Sequence, residues 1–116
     1  MGAVTLRVQN LDNMIAYYRD AIGLDLISQV AGSAILGRGT EPALILEHAP
    51  EMKYAAENQA GLFHTAFLFE TKAQLAYAVA SVAAKYPGSF TGSADHLVSE
   101  AFYFDDPEHN GVELYW

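Results

Sequence analysis

DHLVSEAFYFDDPEHNGVELYW, residues 95–116, is the stretch on which the reading of the fold turns. Asp95-His96-Leu97-Val98-Ser99 enters a strand that runs on through Glu100-Ala101-Phe102-Tyr103-Phe104. Asp105 to Gly111 is a turn, because Pro107 presets φ and Asn110-Gly111 supplies positions that tolerate φ > 0. Val112 to Trp116 is a closing strand. Strand alternation sets Glu113 and Tyr115 on one face and Val112, Leu114 and Trp116 on the other. A carboxylate among large apolar side chains needs a partner or a metal, which makes Glu113 the first candidate functional residue.

Working backward, Leu62 to Phe69 is a strong strand with His64, Ala66 and Leu68 on one face. Glu70-Thr71 opens a helix carried by Leu75, Ala76, Val79, Val82 and Ala83, which stops at Tyr86-Pro87-Gly88. The first half has the same order. Val4 to Gln9 is a strand; Asn10 or Asp12 caps a helix with Leu11, Met14, Ile15, Tyr18 and Ile22 at three- and four-residue spacing, and Gly23 ends it. Strands at Leu24–Val30, Ala34–Gly37 and Ala43–His48 follow, with a turn at Gly32-Ser33 and a loop over Arg38–Pro42. The sequence therefore predicts an α+β fold of two βαβββ modules, residues 3–49 and 61–116, joined by a polar linker over 50–60. A shift of sixty residues lays Val4-Thr5 on His64-Thr65 and Ile15-Ala16-Tyr17 on Leu75-Ala76-Tyr77. Leu46-Glu47 ends its module as Val112-Glu113 ends the other. Two such modules can pair into one curved mixed sheet around a cleft, with the helices on the outer face.

Composition narrows the class of function. At 116 residues, 52% of them hydrophobic, the chain suits one globular domain. It has no cysteine, which excludes disulfides, thiolate metal sites and cysteine nucleophiles. The apolar runs are too short and too broken by charge to span a membrane, and no signal-peptide pattern is present, so the expected compartment is the cytoplasm. Net charge is −8, and the six basic residues are scattered, so a nucleic-acid partner is not expected. No glycine-rich phosphate loop opens a helix behind Gly37-Arg38-Gly39, and no Gly-x-Ser-x-Gly elbow occurs.

The polar residues that this pattern aims at one cleft are His64, Glu113, Glu47, His96 and Tyr103. Imidazole with carboxylate suits iron, manganese, zinc or nickel, and two His with one carboxylate suit Fe(II) and O₂ chemistry. The residues alone also admit a hydrogen-bonded core His64, water-facing Glu47 and Glu113 on edge strands, and a loop His96 paired with Asp95. His109 reads as a solvated turn residue, His48 faces away from Glu47, and Glu100 shares the face of His96 and Val98 as a solvated edge carboxylate.

VTLRVQNLDNMIAYYRDAIGLDLI, GLFHTAFLFETKAQLA and DHLVSEAFYFDDPEHNGVELYW together resemble the vicinal oxygen chelate superfamily, which includes glyoxalase I, bleomycin-resistance proteins and type I extradiol dioxygenases. The Asp-Pro-x-x-Asn-Gly turn before a hydrophobic-Glu-hydrophobic strand is the most specific part. The Asp-His-x-x-Ser-Glu-x-x-Tyr run is most similar to catechol 2,3-dioxygenase-type sequences. The resemblance implies paired βαβββ modules around a divalent metal, Fe(II) first and Mn, Ni or Zn next, with His64 and Glu113 as ligands. It implies a substrate-contacting His96 and a Tyr103 that hydrogen-bonds a substrate oxygen. It also implies an aromatic or oxygen-chelating small-molecule ligand and a homodimer. The chain departs from the family where the other His ligand belongs: Val4 stands there, or Ala3 with a one-residue slip. Glu47 then completes the set as in glyoxalase-type members, or His96 does, or the module is a metal-free binding or resistance protein.

Overall fold

The computed structural model describes residues 3–50, 64–96 and 99–116, the side chains of residues 64, 95, 96 and 99 excepted. The linker expected over 50–60 lies, apart from Pro50, outside the described residues. The chain divides into two compact units, Met1–Tyr54 and Ala55–Trp116. Each is a βαβββ module, so the α+β architecture and the repeated order of elements hold.

In the first unit β1 (Val4–Val8) leads through Asn10 into α1 (Leu11–Ala16). The Asn10 side-chain oxygen accepts a hydrogen bond from the Asn13 N–H at 3.0 Å. The helix continues as one π-helical turn, Tyr17–Ala21, rather than as regular α-helix. That turn buries Tyr17 and Tyr18 edge-to-face, with ring centroids 4.9 Å apart. Gly23, at φ 94°, ends the helix as its position suggests. Strands β2 (Asp25–Val30), β3 (Ser33–Arg38) and β4 (Glu41–His48) complete a sheet of order β1-β4-β3-β2, with β1 parallel to β4. The expected Arg38–Pro42 loop is shorter, because β3 and β4 extend into it and leave only Gly39-Thr40 between them. Leu6, Val8, Leu36, Leu44 and Leu46 are buried, together with Met14 and Ile15 of α1, which packs on β3 and β4.

The second unit repeats the wiring: β5 (His64–Leu68), α2 (Lys72–Lys85), β6 (Phe90–His96), β7 (Ser99–Asp105) and β8 (Gly111–Tyr115). Its sheet order is β5-β8-β7-β6, with β5 parallel to β8. Thr71 caps α2 by accepting a hydrogen bond from the Gln74 N–H at 3.1 Å. Leu75, Ala78 and Val82 of α2 are buried, as are Phe67, Phe104, Val112 and Leu114 of the sheet.

Two expectations fail here. Asp95 to Phe104 is not one strand. His96 pairs antiparallel with Ser99, and Asp95 with Glu100, so the stretch belongs to two strands, β6 and β7. Positive φ in the following turn falls on His109, at 67°, not on Asn110 or Gly111. The cause is Asp106, only 3% exposed, whose carboxylate accepts hydrogen bonds from the N–H groups of Glu108 and Asn110 and from the Asn110 amide. This wraps the turn around Asp106 and bends the chain at His109.

Candidate functional site

The pairing registers decide which positions share a face. In the second sheet Ala66 lies opposite Glu113, and Glu113 lies opposite Tyr103. His64 is two residues before Ala66 in β5, so its backbone position belongs to the same face. His96 pairs with Ser99, which has the parity of Ala101 and Tyr103, so position 96 also belongs to that face. All four second-unit candidates thus fall on the side of the sheet opposite the buried row of Thr65, Phe67, Phe104, Val112 and Leu114. Along the strands they are unequally spaced. His64 stands one step of the alternation before the row of Glu113 and Tyr103, whereas His96 stands two steps beyond that row at the other end of the face. Tyr103 and Glu113, as direct antiparallel partners, have Cα atoms about 5 Å apart. Both are half-buried. Glu100 has the opposite parity to His96, contrary to the one-strand reading, and its carboxylate lies 3.7 Å from the Lys72 ammonium.

The first sheet supplies Glu47, which lies opposite Arg7 in β1 and is exposed. Leu46 and Glu47 stand to β1 as Val112 and Glu113 stand to β5: Leu6 opposes Leu46 as Thr65 opposes Val112. With Glu47 laid on Glu113 the position matching His64 is Thr5, two residues before Arg7; with the helix caps Asn10 and Thr71 laid on each other it is Ala3. This sets Val4 aside, whereas Ala3, two residues before Thr5, has the parity of Thr5 and Arg7 and so keeps its place as a candidate for the missing ligand position. Val4 has the parity of Leu6 and Val8, the strand's buried side. The signal was present in the alternation of buried apolar residues, which requires an odd shift: fifty-nine lays Leu6 on Thr65, and sixty-one lays Leu6 on Phe67 and also Met14, Tyr17 and Ala21 on Leu75, Ala78 and Val82.

The remaining histidines are elsewhere. His109 is exposed in its turn, as expected, and the exposed His48 places its Nε2 3.1 Å from the Gln9 carbonyl oxygen. A hollow of about 450 Å³ lies between the C-terminal end of α2 and the β7–β8 turn, lined by Lys85, Tyr86, Asp105 and His109 among others. None of the five candidate residues lines it. Among the described residues no three His, Asp or Glu side chains gather closely enough to hold a metal ion. The donor types on the second sheet nevertheless fit one: an imidazole position and a carboxylate on adjacent strands and one face, next to a phenol.

The family model described as Glyoxalase/Bleomycin resistance protein/Dioxygenase superfamily matches residues 1–114. A catechol-2,3-dioxygenase of Bacillus subtilis (strain 168) is 32% identical over 117 aligned positions, covering 99% of this chain. The chain spans 40% of that relative's length. Among solved structures, a lactoylglutathione lyase from Agrobacterium tumefaciens superposes with a TM-score of 0.75 at 24% identity, over 99% of this chain and 91% of that one. A bleomycin resistance determinant encoded on the transposon Tn5 superposes with a TM-score of 0.72 at 18% identity, over 99% and 95%. These two likenesses are of fold alone, whereas the family model covers nearly every residue: the chain belongs to the glyoxalase/bleomycin resistance protein/dioxygenase superfamily.

Proposed function

We propose that the chain is a metal-dependent module of extradiol ring-cleaving type, acting on a catechol-like diol with Fe(II) and O₂. The observation that carries this is the common face of His64, Glu113, Tyr103 and His96 in the second sheet. The 32% identity to a catechol-2,3-dioxygenase supports the substrate class. The ligands proposed are His64 and Glu113 of the second unit. Bound Fe(II) would supply a Lewis acid and a template for a diol and dioxygen. Of the chain's own groups, the Tyr103 hydroxyl, across the strand pair from Glu113, donates a hydrogen bond to a substrate oxygen.

The second reading is a glyoxalase-type lyase or isomerase. Glu47 favours it, because it follows a buried leucine on the closing strand of its unit as Glu113 follows a buried valine on the closing strand of the other. Anaerobic loading with Fe(II), followed by air-saturated catechol, separates the readings. Appearance of the yellow ring-opened product, lost in His64→Ala and Glu113→Ala, is expected. Metal uptake with hemithioacetal isomerisation and no ring opening would give the site to lyase chemistry. Failure to take up any divalent metal would leave a metal-free small-molecule-binding protein. The same preparations, run on a sizing column, test the homodimer that we also propose.

A further inference from the structure

We infer that Asn110 is a site of self-modification: its side-chain amide turns to a carboxylate with water as the only co-reactant, and the buried carboxylate of Asp106 is what restrains it. The chain has four asparagines, and Asn110 is the one followed by glycine. Asparagine is thermolabile for a chemical reason. The main-chain nitrogen of the next residue attacks the side-chain amide carbon, and a C–N bond forms to close a succinimide ring. The bond to Nδ2 breaks, and ammonia leaves with the proton that the main-chain nitrogen gives up. Water then opens the ring at either carbonyl and leaves aspartate or isoaspartate. Glycine, with no Cβ, obstructs that attack least. Leu11, Met14 and Gln59, which follow the other asparagines, carry side chains beside the attacking nitrogen.

The folded turn holds both reactants back. The Asn110 Nδ2 donates to the two carboxylate oxygens of Asp106 at 3.2 and 3.0 Å, and the Asn110 N–H donates to one of them at 2.9 Å. An ionised carboxylate only accepts, so it fixes which end of the Asn110 amide faces it. Asp106 is 3% exposed, so these charge-assisted bonds are little weakened by solvent. The attacking nitrogen belongs to Gly111, the first residue of β8, in register with Asp105 of β7 and with His64 of β5. Ring closure therefore waits for the turn to open. His109, the residue before, is exposed, so water is at hand once it does.

Conversion undoes its own surroundings. In the aspartate product a carboxylate oxygen stands where Nδ2 donated, against the buried Asp106 carboxylate. The turn then loses two hydrogen bonds and sets like charges in contact. In the isoaspartate product the main chain also runs through the side-chain carbon, one methylene longer, immediately before β8. That strand lies between β5 and β7 and carries Glu113, three residues on from Asn110. A fault at its first residue reaches the carboxylate proposed as a ligand, so modification lowers stability first and metal affinity with it. The modification itself does not depend on the ring-cleavage reading; only its effect on metal does.

The test follows Asn110 by peptide mapping with mass spectrometry, in the metal-free full chain held in mildly alkaline buffer, folded and in concentrated urea. Asn110 is expected to convert ahead of the other asparagines in urea, and about tenfold or more slowly in the folded chain. Asp106→Asn keeps an oxygen for the Glu108 and Asn110 N–H groups and removes the acceptor facing the amide, and most of that protection is expected to go. Asn110→Asp, which stands for the product, is expected to lower the midpoint of chemical denaturation. Equal rates in the folded and unfolded chain, or full protection in an Asp106→Asn chain shown by circular dichroism to be folded, would overturn the inference. If Asp106→Asn does not fold, Asn110→Asp decides, and a midpoint equal to that of the parent chain overturns it. Loss of protection in a chain that binds no metal would leave the inference standing and the ring-cleavage reading without support.

Discussion

The two units share their wiring and differ in what they offer to chemistry. β1 pairs with β4 as β5 pairs with β8, and Leu6 opposes Leu46 as Thr65 opposes Val112. On that common frame, the second unit has His64 on a face where the first has only Ala3 and Thr5 before Arg7, and it has a half-buried Glu113 on its closing strand where the first has an exposed Glu47. The helices differ too: α2 is a regular helix of 14 residues, whereas α1 gives way to a π-helical turn after 6. Apolar alternation and register are enough to copy a module. Side chains on the face away from the helix contribute little to that copying, so they are free to diverge.

The hairpins closing the sheets give the largest predicted effects. In the first unit the β3–β4 connection is two residues long, and a Cβ at Gly37 would overlap the backbone carbonyl of Glu41. Gly37→Ala therefore costs about 3 kcal/mol or more, because backbone must move; chemical denaturation reads this as a lowered midpoint. The β7–β8 turn is instead organised by the Asp106 side chain, so Asp106→Ala strands the Glu108 and Asn110 N–H groups. The expected loss is about 2 kcal/mol. If Gly37→Ala proved harmless while Asp106→Ala did not, the contrast between backbone closure and carboxylate closure would be wrong on the first side.

Smaller effects sharpen the comparison at matched positions. Thr65, 2% exposed, holds the place of Leu6, and its hydroxyl has no hydrogen-bond partner among the described residues. Thr65→Val keeps the shape and removes the orphan, and a gain of about 1 kcal/mol is expected in thermal unfolding. The smallest change in stability belongs to Thr5→His on the exposed side of β1, within about 0.5 kcal/mol. This substitution should raise Ni(II) or Zn(II) affinity by giving the first unit the imidazole that the second already has, two residues before the register partner of its carboxylate. Unchanged affinity in titrations would mean that the matching of Thr5 to His64 does not extend to function.

Most of the fold was legible because strong alternation and three-and-four spacing leave little choice of element. Val4–Val8, α2 and the closing strand are examples. β6 was not legible: Phe90-Thr91-Gly92-Ser93-Ala94 has one large apolar residue, and a glycine at a register shift, as an edge strand allows. With β6 unseen, the apolar Leu97-Val98 pair made Asp95 to Phe104 read as continuous strand, which put Glu100 on the wrong side. The π-helical turn was hidden because Tyr18 and Ile22 keep helical spacing in either form. Of the candidate site, the face shared by Glu113 and Tyr103 could be read from parity, but an even shift of sixty put Val4, which lies on the other face, opposite His64.

The most direct test of the central claim is anaerobic Fe(II) titration of the chain and of His64→Ala and Glu113→Ala, with circular dichroism to confirm that each variant folds. Stoichiometric Fe(II) binding is expected, weakened by about tenfold or more in either variant, since each removes a donor. Binding of equal stoichiometry and affinity in all three would contradict it.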